Sequence, residues 1–266
     1  MWAPSPVRML IYGHSDTFGV ALADRSLAWP NIVEAELPAL LGQPVEITQR
    51  PFLPIRAGAG ERAEAILRDN PADVAVFATN AYGFAVTTVA NRVKGRFGEN
   101  NARRYTRLER RINKWTRSMP MGDRINNTGR RWARKVVGTA PDSSYQDVVK
   151  AHDEVLRVLA RQESLEVVVM GGNKLSGWIQ KEKPSLIVQV EAMREMVEEF
   201  CREHHFAWFN TEEALLPGNR ERSFLPDGAH RNPEAHRHFA NLVLPVLQRC
   251  AERAMEGAES VAQPTG

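Results

Sequence analysis

A three-layer α/β domain built on a parallel sheet is the fold class this sequence predicts, and three observations predict it. Five short apolar runs recur without the alternation of a half-exposed strand, which suits strands covered on both faces. Segments with helical spacing separate them, and such alternation of strands and helices argues for layers of helix on either side of a sheet. At 266 residues the chain is long enough for one substantial core with a small insertion.

The first strand is read over residues 7–12 and stops at Gly13. Residues 45–49 are a shorter, partly polar second candidate; 74–78, 166–170 and 206–209 follow. Helices are read over 32–41, 61–69, 145–160 and 186–203. A last helix over 233–255 opens with Asn232 as its cap and Pro233 at the first helical position, where the missing N–H costs nothing. Residues 256–266, small and polar, read as a flexible tail. The chain is therefore read as one domain over 1–255, with no internal repeat.

Apolar residues at 43% and charged residues at 25% give the ordinary balance of a soluble globular protein. Cys201 and Cys250 both fall in helix-like segments and read as reduced thiols, since a chain of this size needs no disulfide. The first seven residues hold no cationic stretch followed by an apolar run, and no apolar run approaches the roughly 18 residues needed to span a bilayer. The expectation is a cytoplasmic protein without a transmembrane segment.

The net charge of +3 hides a concentration. Residues 92–135 carry fifteen Lys or Arg against three acidic residues, a local +12, so the rest of the chain carries −9. Within this stretch Tyr105, Leu108, Ile112 and Trp115 recur at helical spacing, giving a basic amphipathic helix. The connection is too long for a single crossover helix, and residues 92–140 read as a basic helical insertion. Three readings of its charge stay open: a solvated helical face, a lid that attracts an anionic substrate, or a membrane-surface or nucleic-acid patch in which Trp115, Trp132 and Tyr105 meet lipid or stack on bases. No recognised nucleic-acid module is present.

Four short stretches carry the chemistry. The first strand runs into Gly13-His14-Ser15-Asp16-Thr17-Phe18-Gly19, where a serine can be presented at the carboxyl edge of the sheet, the edge at which open α/β sheets bind ligands. Alone, a serine there is more often a helix cap. Just before the last helix, Asp227-Gly228-Ala229-His230 has the spacing for one short loop to hold a carboxylate against one ring nitrogen while the other faces a serine. Asn80, beyond the third strand, can offer an amide to an oxyanion, and Gly60, beyond the second, an unobstructed N–H. His236 and His238 read as surface or packing residues, because no ligand-like cluster accompanies them.

In this order the four stretches resemble the SGNH or GDSL hydrolase superfamily, named for a serine, glycine, asparagine and histidine in four blocks. The first block, Gly-Asp-Ser-Leu-Thr-x-Gly, is matched over residues 13–19 except at His14 and Asp16. Asp227 and His230 match the last block, Asp-x-x-His, in spacing and in position before the terminal helix. The resemblance implies a flavodoxin-like α/β/α fold and a catalytic trio of Ser15, Asp227 and His230. It also implies an oxyanion hole of the Ser15 and Gly60 N–H groups and the Asn80 side chain. Departures are His14 for the first-block aspartate, Ala78 for the glycine before Thr79-Asn80, and Ala81 for the aspartate that often follows. His14 reads as structural or substrate-binding. Asn173, in Gly171-Gly172-Asn173-Lys174, reads as a substrate contact from a pocket-lining loop that lacks the spacing of a P-loop.

The resemblance implies a serine esterase that cleaves a small-molecule carboxylic ester, short-acyl or acetyl, through an acyl-serine. No metal or organic cofactor is required. Its superfamily also holds thioesterases, so acyl transfer and thioester cleavage stay open, as does a noncatalytic relative that uses the basic segment to bind an anionic partner. A homo-oligomer is left open.

Overall fold

The computed structural model describes residues 5–85, 87–116, 137, 139–171, 185–218, 220–225 and 230–262. Strand β1 (Val7–Gly13) is buried at all but Arg8, and alternate residues pack on opposite sides of the sheet. Val7, Met9 and Ile11 join one core cluster, while Leu10 and Tyr12 join another. A strand packed on both faces must lie inside a sheet, and β1 does so. It pairs in parallel with β2 (Val45–Pro51) in the register Val7↔Val45, and with β3 (Val74–Ala78) in the register Met9↔Val74. β4 (Glu166–Gly171) and β5 (Ala207–Asn210) extend the sheet to the order β2-β1-β3-β4-β5, parallel throughout.

The helices follow from that order. After β1 the chain crosses to one side of it and then, after β2, to the other. The strand order reverses between β1 and β3, which makes their carboxyl ends a topological switch point. α1 (Trp29–Leu41) ends in Gly42, whose φ of 68° lies in the left-handed region that favours glycine. α2 (Ala59–Asp69) lies between β2 and β3 in the chain.

Three longer helices complete the layers: α6 (Tyr145–Ala160), α7 (Ser185–Glu203) and α8 (Pro233–Ala262). The first core cluster unites the sheet with Trp29, Val33 and Leu37 of α1 and Phe239, Val243 and Leu247 of α8. The second unites it with Ala63 of α2, Val155 and Leu159 of α6, and Val197 and Phe200 of α7. The α/β/α architecture expected from the sequence is thus the observed one.

The predicted elements recur with small shifts at their ends. Asn232 caps α8, its Oδ1 accepting from the Ala235 N–H at 2.9 Å. That helix does not stop at 255, however. It continues to Ala262, so residues 256–262 are helical where a flexible tail was expected. Glu256, Ala258, Glu259 and Ala262 are good helix formers. Cys201 and Cys250 are free and buried in α7 and α8.

The chain divides into two compact units, residues 1–80 with 149–266, and residues 81–148. The expected insertion therefore begins and ends outside 92–140. Its described part holds the single turn α3 (Tyr82–Ala85), α4 (Val89–Phe97) and α5 (Glu99–Thr116). α5 is the predicted basic amphipathic helix; Leu108 and Ile112 on it are exposed. Trp132 lies outside the described residues. No helix among the described residues is long and apolar enough to cross a membrane.

Gly171 closes β4 where the Trp208 side chain crosses from β5, and a Cβ at this position would overlap the indole ring. Gly171→Ala is expected to cost about 1–3 kcal/mol by overpacking. Trp208→Leu in the same chain should recover part of that loss in urea melts.

Candidate active site

β1 releases the chain at Gly13 into a tight turn. The Phe18 N–H donates to the His14 carbonyl at 3.2 Å, the Gly19 N–H to Asp16 at 3.2 Å, and the Val20 N–H to Ser15 at 3.1 Å. Gly13 is required because a Cβ there would fall 2.5 Å from Thr17 Cγ2. The turn buries Asp16 and Thr17 and leaves Ser15 exposed. Among the described residues no acceptor takes up the Ser15 amide N–H.

The histidine arrives from the other end of the chain. A short antiparallel bridge between Phe224 and Arg231 pins its loop, with the Leu225 N–H donating to the His230 carbonyl at 2.8 Å and the Asn232 N–H to Ser223 at 3.0 Å. His230 Nε2 then lies 2.9 Å from Ser15 Oγ, across a separation of 215 residues. That is hydrogen-bond distance for a base and the hydroxyl it would deprotonate. Asp227 and Asn173 lie outside the described residues.

Asn80 follows β3, across the switch point from Ser15, and is buried. The Thr79 N–H and hydroxyl both donate to the Met170 carbonyl, at 2.8 and 3.0 Å. The Asn80 backbone N–H donates to His152 Nε2 at 3.4 Å. His152 is fully buried on α6 against Phe77, with ring centroids 5.6 Å apart. It was missed in the sequence, although a histidine on the buried stripe of Ala151 and Val155 is itself a signal.

Gly60 lies beyond β2, as expected, but its N–H is not open. It sits in the first turn of α2, where its N–H and that of Ala59 both meet Glu154 Oε2, at 3.4 and 3.1 Å. The carboxylate of α6 thus takes up the positive end of α2, and the Gly60 amide is already engaged. Ser15 and His230 come together; Gly60 is not joined to them by any contact among the described residues.

A buried charge cluster lies beneath the pair. Asp16 accepts the Arg231 backbone N–H at 2.8 Å and forms an ion pair with its guanidinium. Burial alone would raise the Asp16 carboxyl, but Arg231, through charge and backbone N–H, together with His236 and His14 holds it below the usual range. His236 is buried, its Nδ1 accepting from the Trp29 N–H at 3.3 Å, as the packing reading expected. Burial pushes both His14 and His236 down to about 4, helped by Arg231 and His230 and opposed by Asp16. Both are neutral at physiological pH. Among the described residues no group of three or more His, Cys, Asp or Glu is arranged to hold a metal.

No protein-family model matches the chain, and no curated protein matches it in sequence. Solved structures do match in fold. TesA superposes with a TM-score of 0.54 at 14% identity, over 91% of this chain and 99% of its own. The native aryl esterase of M. smegmatis superposes with a TM-score of 0.50 at 10% identity, over 92% of this chain and 99% of its own. At such identities the likeness is one of fold.

The two neutral histidines set an acid limit on stability. Between about 6.5 and 4 the unfolded chain takes up protons that folded His14 and His236 refuse, so stability is lost as the pH falls through that window. Each unit of depression is worth about 1.4 kcal/mol. His236→Asn, whose amide oxygen can still accept from Trp29, removes one of these titrations. Thermal melts across the window should show a shallower loss of Tm for this variant than for wild type.

Proposed function

We propose that the chain is a serine-dependent carboxylic ester hydrolase working through an acyl-serine. The single observation that carries this reading is the 2.9 Å approach of His230 Nε2 to Ser15 Oγ at the switch point of the sheet. The SGNH/GDSL fold supports the same class of chemistry, and an aryl esterase stands among its structural neighbours.

In the proposed cycle, His230 takes the Ser15 proton as Oγ attacks the ester carbonyl. Collapse of the tetrahedral intermediate expels the alcohol, which receives that proton from His230. Water then attacks the acyl-serine while His230 takes its proton, and the acid leaves as the proton returns to Ser15 Oγ. Asp227 fits the role of orienting the imidazole, on the strength of its three-residue spacing from His230. Two oxyanion donors fit: the Ser15 N–H and the Asn80 side chain, with His152 and Met170 fixing the Asn80 loop from behind. Gly60 would join them only if Glu154 moved off its amide. Short acyl or acetyl esters are the proposed substrates, and Asn173 is a proposed substrate contact.

Hydrolysis of p-nitrophenyl acetate tests the proposal. Wild type should turn it over and Ser15→Ala should not. Asn80→Ala should lower kcat by about 10²–10³, the usual loss of one oxyanion donor. Equal turnover by wild type and Ser15→Ala would remove the proposal.

A further inference from the structure

The contact between Ser15 and His230 has a companion one residue further along each segment. Asp16 meets Arg231, and both contacts span 215 positions, so the two segments are held in one register. The companion is the more deeply buried, with Asp16 at 4% and Arg231 at 9% exposure. It is also fixed from several sides. Asp16 Oδ1 accepts the Arg231 backbone N–H at 2.8 Å, and Oδ2 pairs with the guanidinium. The guanidinium carbon lies 4.6 Å from the centre of the Phe239 ring on α8. His236 Nε2 stands 4.0 Å from Asp16 Oδ1.

Stability does not account for such a pair. Desolvating two charges offsets most of their attraction, and buried ion pairs exchanged for apolar residues are often neutral or better. A buried pair can instead fix a register, because a slip leaves a charge without its partner. Ser15 is exposed and His230 only partly buried, so apolar packing alone defines their alignment poorly. Misplacement of a base by about 1 Å can cost 10²-fold in rate.

We propose that Asp16 and Arg231 are positioning residues, a buried clamp that holds His230 in register over Ser15. The inference rests on the esterase reading for its kinetic consequence, but the clamp itself is a statement about geometry.

The decisive protein is the double variant Asp16→Asn/Arg231→Met. The amide oxygen introduced by the first substitution can keep the backbone bond, both charges are gone, and no lone charge is left to unfold the chain. Its Tm should exceed that of Asp16→Asn alone. With p-nitrophenyl acetate its kcat should fall about 10- to 100-fold with KM within about twofold of wild type. Arg231→Lys, which keeps the charge but not the planar fork, should retain an intermediate kcat. Amide exchange in peptides holding His230 should quicken while β1 and β3 keep their protection. A folded double variant with wild-type exchange at His230 overturns the clamp. If wild type shows no Ser15-dependent turnover, the esterase reading falls, and the exchange result alone decides whether the clamp exists.

Discussion

Two groups 215 residues apart meet at 2.9 Å, and that closure is the constraint on which the rest of the structure turns. A hydroxyl is a weak nucleophile unless a base stands within hydrogen-bond reach. Topology brings the hydroxyl and the imidazole together. An all-parallel sheet sends every strand's carboxyl end to one edge, and β1 and β3, neighbours in space, deliver the Ser15 and Asn80 loops to the reversal point between them. The histidine is then supplied from the start of the terminal helix α8, which packs along the sheet beside α1.

Beneath this edge the protein concentrates polar groups that a core would ordinarily exclude. Asp16 and Arg231 compensate one another, while His14 and His236 escape the cost of buried charge by remaining neutral. On the other face of the sheet, α6 contributes two polar side chains with distinct duties. His152 receives the backbone N–H of Asn80, and Glu154 receives those of Ala59 and Gly60. One helix thereby braces the loop with a candidate oxyanion donor and closes the end of α2.

Much of this was legible in the sequence, for a definite reason. Strands buried on both faces must be continuous apolar runs, so Val74–Ala78 could be read to the residue, and Asn232-Pro233 announces the start of α8 by cap chemistry. That Ser15 and His230 would meet was legible because the proposed chemistry restricts both residue type and spacing. Gly60 was not, since a glycine in sequence does not reveal whether its N–H faces an open site or a carboxylate 94 residues away. The same limit hid the Asp16 pair. Asp16 registered only as a departure from a motif, although its offset from Ser15 matches that of Arg231 from His230 and its charge is opposite. The end of α8 was missed because small and charged residues were read as a tail, although alanine and glutamate are good helix formers.

Covalent capture tests the central pairing most directly. Wild-type protein treated with a fluorophosphonate and digested should carry the adduct on the peptide containing Ser15, with loss of fluoride and one phosphonyl group per chain by mass spectrometry. Labelling should be greatly slowed in His230→Ala and absent in Ser15→Ala. An adduct that forms elsewhere, or on Ser15 at the same rate without His230, would contradict the pairing.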